Sequence, residues 1–218
     1  MIKLSHRIPE TPWRAQGTWG IRLRMIAPLV IGLTLFGIGE GLLVVAHWGA
    51  TPWTVFAQGV AKHADISLGW STASISAVVL LAWFPLRERP GFGTIANLVI
   101  IAYVLDVTAA RVPEPRDDWI KALFMVGAVV LIGVGSSLYL TCGLGPGPRD
   151  GLMTGLHRRL GVSVVYVRLT IELCVLVVGR ILGGTVGVGT AFFATTIGFC
   201  IGASLNALRW LIARFSRD

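Results

Sequence analysis

The chain alternates long apolar runs with short connections that are polar or rich in glycine and proline. Six runs, at residues 25–46, 68–86, 94–110, 119–141, 162–182 and 188–212, are long enough as helices to cross about 30 Å of hydrocarbon. Two shorter segments interrupt the series, 52–63 after the first run and 148–159 after the fourth. Each opens with a proline suited to a first helical turn, Pro52 after Thr51 as cap and Pro148 after Gly147. At about 1.5 Å per residue each helix would be roughly 17 Å long, half a bilayer. They are therefore either re-entrant or lie along the interface. The predicted fold is all-α: a polytopic membrane protein with six transmembrane helices.

The second half repeats the first 96 residues later without a gap. Residues 35–101 and 131–197 share 16 of 67 positions, where composition alone would give roughly 5. Gly37 and Gly39 meet Gly133 and Gly135; Gly49 and Pro52 meet Gly145 and Pro148. Gly91, Gly93 and Thr94 meet Gly187, Gly189 and Thr190. Glycine and proline set backbone shape, so these matches imply a shared conformation. The predicted organisation is a basic N-terminal arm (1–24), a first repeat (25–114), a second repeat (115–213) and a short tail (214–218). Three crossings per repeat is an odd number, so the second copy would enter the bilayer from the opposite side. The repeats are expected to be inverted, each with a short half-helix after its first span.

Composition agrees. Hydrophobic residues make up 54% of the chain and charged residues 14%, against about a quarter charged in soluble domains. The net charge of +8 could suggest a nucleic-acid partner, but the basic residues sit at the termini and in short loops, the pattern of topology signals and contacts with anionic headgroups. Lys3, Arg7, Arg14, Arg22 and Arg24 precede the first span. Arg87 and Arg89, then Arg149, Arg158 and Arg159, mark alternate connections, and Arg209, Arg214 and Arg217 mark the far end. Both termini are thus predicted to be cytoplasmic. Trp13 and Trp19 suggest an arm resting on the inner leaflet; a disordered tail is the alternative. Cys142, Cys174 and Cys200 lie in apolar stretches and the four histidines lack metal-ligand spacing, so neither metal nor cofactor is expected.

The chemistry concentrates in a few intramembrane charges, costly enough to be functional candidates by default; the alternatives are a structural ion pair for Arg168 and Glu172 and a solvated loop pair for Arg149 and Asp150. Arg168 and Glu172 are one turn apart on the fifth span and can pair; their first-repeat counterparts are Thr72 and Ser76. Glu40 lies in the first span opposite Ser136, with no cation on its own helix face. Arg149 and Asp150 open the second short helix where Trp53 and Thr54 open the first. Helix N-termini offer free N–H groups to a polar or anionic ligand, and broken helices of this kind form sites in secondary transporters. Residues 183–190, rich in glycine, lack the lysine of a phosphate loop and read as a tight connection with Thr190 capping the next helix.

Residues 143–153, Gly-Leu-Gly-Pro-Gly-Pro-Arg-Asp-Gly-Leu-Met, resemble the signature of YczE-like bacterial membrane proteins, part of a YczE/YyaS/YitT grouping. Residues 49–56, Glu172 and residues 183–190 fit the same pattern, over about residues 25–210. That pattern often places an aspartate after the first-repeat tryptophan, where Thr54 stands here. The resemblance implies a polytopic cytoplasmic-membrane protein, sometimes linked to regulation of secondary metabolism, and hands over no substrate.

The leading expectation is a small transporter moving a polar or anionic organic solute by alternating access. Arg149 and Arg168 would neutralise the solute, Asp150, Glu40 or Glu172 would carry a coupling proton, and Trp53, Thr51 and Gly147 would line the site. The alternative is a non-transporting regulator or assembly partner that uses the bundle as a scaffold and has a filled, dry interior. An enzyme is not expected, because HExxH, GxSxG and metal clusters are missing from the sequence. The partners foreseen are membrane lipids and a small-molecule solute, with a homodimer open to so small a bundle.

Overall fold

The computed structural model describes residues 11–215. Within them run eight α-helices: α1 (Leu23–Val45), α2 (Pro52–Ala64), α3 (Leu68–Leu86), α4 (Phe92–Arg111), α5 (Asp118–Thr141), α6 (Pro148–Leu160), α7 (Val164–Ile181) and α8 (Val188–Phe215). Lys3, Arg7 and Arg217, used in the charge count, lie outside the described residues. Helices α1, α3, α4, α5 and α8 are long and apolar enough to cross a membrane. The chain is a polytopic helical membrane protein. The sixth expected span, α7, has 18 residues and carries Arg168, Glu172 and Arg180, and so stands apart from the other five.

Local chemistry explains where the helices begin. Thr51 Oγ1 accepts the Thr54 N–H at 3.3 Å, with Pro52 in the first turn of α2. Ser67 Oγ accepts the Trp70 N–H at 3.3 Å and caps α3. The Gly91 N–H donates to Thr94 Oγ1 at 3.1 Å, and the Gly187 N–H donates to Thr190 Oγ1 at 3.4 Å. Both glycine-rich segments are therefore helix-opening turns.

The repeat extends to backbone geometry. Four pairs of positions 96 residues apart adopt left-handed backbone: His47/Gly143, Gly49/Gly145, Asp65/Gly161 and Arg87/Gly183. They include every residue of positive φ among those described, and Gly49 and Gly145 agree closely at φ 109° and 108°. In three pairs the first repeat accepts a side chain where the second has glycine, although a left-handed L-residue costs roughly 1–2 kcal/mol. The conformation is repeated even where the side chain is not.

Contacts between the halves are reciprocal. The Gly189 N–H donates to the Trp48 carbonyl at 2.7 Å, and the Gly93 N–H donates to the Leu144 carbonyl at 2.8 Å, the same bond 96 residues apart. Helix α2 packs on α7 as α6 packs on α3, and α4 lies on α1 as α8 lies on α5. The corresponding helices α1 and α5 form the largest contact. A Cβ on Gly32 would stand 2.9 Å from the Tyr139 nitrogen, and one on Gly39 would stand 2.7 Å from the Ala128 carbonyl oxygen. Contact positions fall along α5 as they rise along α1, so the two run antiparallel. Glycine is needed here because the two backbones touch.

One contact breaks the pattern: α3 lies along α4, but α7 makes no comparable contact with α8. Asp106 of α4 accepts the Ser67 hydroxyl at 2.8 Å and the Gly69 N–H at 2.9 Å. A Cβ on Gly69 would lie 2.6 Å from the Ala102 carbonyl oxygen. The counterparts of Gly69, Ala102 and Asp106 are Val165, Gly198 and Gly202. The second repeat thus has bulk where close approach needs glycine and no carboxylate to latch the pair, and Gly198 faces open space.

At one end of the bundle the arm meets the α3–α4 and α5–α6 connections. The Ala15 N–H donates to the Cys142 carbonyl at 2.8 Å, Trp13 Nε1 to Thr141 Oγ1 at 3.3 Å, and Trp19 Nε1 to the Pro90 carbonyl at 3.1 Å. The described part of the arm is thus seated on protein, unlike a disordered tail.

Candidate functional site

A cavity of about 350 Å³ lies among the helices and takes side chains from all eight. Its lining follows the repeat. Eight pairs of positions 96 residues apart face it, among them Glu40/Ser136, Trp53/Arg149, Thr72/Arg168 and Ser76/Glu172. The first turns of α2 and α6 both reach it, through Trp53 and through Arg149 and Asp150. The last turn of α6 is not in the lining; there Arg158 pairs with Glu88 and Arg159 donates to the Pro85 carbonyl at 2.8 Å.

All eight residues singled out from the sequence (Glu40, Thr51, Trp53, Gly147, Arg149, Asp150, Arg168 and Glu172) line this cavity. Their pairing is set by the tertiary structure. Glu40, 1% exposed, accepts hydrogen bonds from Thr51 Oγ1 at 3.3 Å and from Thr54 Oγ1, and forms an ion pair with Arg149 at 3.2 Å. Its cation comes from the other repeat, where no reading of α1 alone could find it. The Arg149 guanidinium also lies 5.2 Å from the centre of the Trp53 ring, a cation–π distance. Asp150 does not pair with its neighbour Arg149; Asp150 Oδ2 accepts the Tyr139 hydroxyl at 2.7 Å. Arg168 pairs with Glu172 at 2.9 Å along α7, within one helix and not between two.

Tyr139 and Thr54 were not among the predicted residues. Thr54 had a signal, since it occupies the position of Asp150 in the first repeat; Tyr139 had none, because its partner Asp150 is brought to it by the loop before α6. Two further polar atoms point to use of the cavity. Trp53 Nε1 and Thr72 Oγ1 are buried and have no hydrogen-bond partner among the described residues. Both residues line the cavity and are 6% and 3% exposed. Buried donors are normally satisfied, so an orphan pair in one cavity calls for an explanation. Among the described residues no group of three or more His, Cys, Asp or Glu side chains is placed to hold a metal ion.

The cavity has the volume and the mixed lining of a small-molecule site, with polar groups converging in an apolar surround. Of the helix pairs that flank the cavity, α3 and α4 are joined while α7 and α8 stand apart.

Comparison with known proteins agrees with this membrane architecture. A family of unknown function, DUF6198, matches residues 23–206. An uncharacterized protein of Haemophilus influenzae is 42% identical over 208 residues, 95% of each chain. The uncharacterized membrane protein YczE of Bacillus subtilis is 30% identical over 189 residues, 84% of this chain and 88% of its own. The uncharacterized protein YyaS of the same organism is 23% identical over 164 residues, 73% of this chain and 82% of its own. No solved structure matches. The chain therefore belongs to the DUF6198 family and to the YczE-like grouping of bacterial membrane proteins.

Proposed function

We propose that the protein is a small transporter that moves a polar organic solute across the membrane by alternating access. In this reading α7 is the sixth span, and the two repeats are inverted about a twofold axis in the membrane plane. The antiparallel α1 and α5 and the reciprocal bonds Gly189–Trp48 and Gly93–Leu144 support that inversion. The observation that carries the proposal is the cavity lined by equivalent positions of both repeats: in inverted-repeat transporters the solute site lies between the repeats.

The basic residues Arg14, Arg22, Arg24, Arg87, Arg89, Arg158 and Arg159 belong to the end where the arm meets the α3–α4 and α5–α6 connections. The bias of basic residues to cytoplasmic loops makes that end cytoplasmic, with both termini there. The Ser67–Asp106 latch then closes the outer side between α3 and α4, and the separated α7 and α8 open the cavity inward. Closing the second pair while unlatching the first would expose the same site to the other face. The two arginines are already paired with Glu40 and Glu172, so the anionic half of the sequence expectation loses its free cation and a polar solute is retained. A scaffold would fill its interior; a cavity with two unpartnered buried donors argues against that reading.

Cysteine accessibility tests the proposal. With Cys142, Cys174 and Cys200 replaced by serine, Ser136→Cys and Thr72→Cys are introduced singly. A charged, membrane-impermeant thiol reagent is then applied to right-side-out and inverted vesicles. Alternating access predicts modification from both faces. Protection from both faces would support the scaffold, and reactivity from one face alone would refute transport.

A further inference from the structure

We propose that the solute is a small amine-bearing molecule, a cation or zwitterion, whose positive group binds Asp150 and whose hydrogen-bond acceptor meets Trp53 Nε1. The inference rests on the transport reading only in taking the cavity as a solute site; it adds the chemical class.

Charge is the first argument. The cavity holds three carboxylic acids, Glu40, Asp150 and Glu172, and two guanidinium groups, Arg149 and Arg168. Each arginine faces one glutamate, at 3.2 Å and 2.9 Å. Among the described residues the Asp150 carboxylate is met by a neutral phenol, Tyr139 at 2.7 Å, and by no ion pair. A carboxylate in a site of low dielectric needs a counter-charge, and a hydroxyl donor supplies only part of one. The N-terminus of α6 helps, since Asp150 sits in its first turn. That is the ordinary stabilisation of any helix-opening aspartate, and it is weaker than a full opposite charge. An ammonium group would complete the balance; a second anion would worsen it.

Hydrogen bonding is the second, independent argument. An indole Nε1–H donates and cannot accept. The unpartnered Nε1 of Trp53 therefore calls for an acceptor on the solute, such as a carboxylate, carbonyl or hydroxyl oxygen. Thr72 Oγ1, also unpartnered, can donate to the same oxygens or accept from an ammonium. An amine at one end and an acceptor at another satisfies both sets of groups without breaking either ion pair.

The test uses matched straight-chain compounds on the purified full-length protein: 5-aminovalerate, cadaverine and glutarate, which differ only in their terminal groups, with shorter and longer homologues. A ligand that prefers the folded state raises the melting temperature. At up to about 50 mM the amino acids should stabilise the protein most, the diamines less because they lack an acceptor for Trp53 Nε1, and the diacids should be inert. Asp150→Asn, which preserves shape, should weaken binding of the amines at least about tenfold, the loss of a charge-assisted contact. Should that variant not fold, Tyr139→Phe serves instead: it frees the carboxylate and should hold or tighten amine binding. Stabilisation by diacids equal to that by amines, or no response to any amine, overturns the inference. The second outcome would mean that a proton neutralises the site. Neither outcome touches the accessibility test above, so failure of the solute class and failure of transport are separable.

Discussion

Glu40→Gln perturbs the ion pair that joins the two repeats within the cavity; Arg158–Glu88 also joins them, outside the cavity lining. The side chain keeps its size, and its amide oxygen can still accept from Thr51 or Thr54. The change removes the charge facing Arg149 at 3.2 Å. Leaving one member of a buried pair uncompensated costs roughly 3–5 kcal/mol. The Arg149 side chain is 21% exposed and retains the Trp53 ring at 5.2 Å, so the lower figure of about 3 kcal/mol applies. In a chain of this size each kcal/mol moves Tm by about 2–4 °C, giving an expected fall of about 6–12 °C. Tryptophan fluorescence during thermal unfolding in detergent measures it. Arg149→Met alone should cost a similar amount, because it strands the Glu40 charge. The double variant should lose less than the sum by about 2 kcal/mol, the coupling of a contacting pair. Strict additivity, or single losses under about 0.5 kcal/mol, would refute the view that this pair ties the halves together.

Three further outcomes are expected. A Cβ on Gly151 would overlap the Trp83 ring, so Gly151→Ala should cost about 1–3 kcal/mol by overpacking; Trp83→Leu in the same chain should recover part of that loss in a melting experiment, less the bond from Trp83 Nε1 to the Pro148 carbonyl at 3.0 Å. Asp106→Ala removes the acceptor of Ser67 and Gly69 and should destabilise by about 1.5–3 kcal/mol, as for hydrogen bonds to a charged group. Faster amide exchange at Gly69 and Ser71, with no change at the α7 end, is the signature. Single cysteines at Lys62 and Arg158 should react from opposite faces of the membrane; labelling of both from one face would contradict the inverted arrangement.

Helical character, the repeat and eight of the residues lining the cavity were legible in the chain because each is written in local periodicity or in spacing. Apolar runs of membrane length declare themselves without any partner. The 96-residue offset carries glycine and proline positions that dictate backbone shape, and it also pointed to Glu40, Trp53, Arg149, Arg168 and Glu172 as departures between the copies. Which group neutralises which could not be read this way. Glu40 and Arg149 are 109 residues apart and meet only when packing of α6 on α3 and α7 carries its first turn to the cavity. Tyr139 reaches Asp150 through a turn whose path depends on Gly143 and Gly145 in left-handed backbone. The separation of α7 from α8 is likewise a matter of assembly. Val165 and Gly202 are unremarkable in a linear pattern, and their effect is felt only against the helix that each fails to meet. Periodicity is a property of neighbours along a chain, and it places the elements. Charge pairing and packing are properties of neighbours in space, and they depend on distances that only the folded bundle sets.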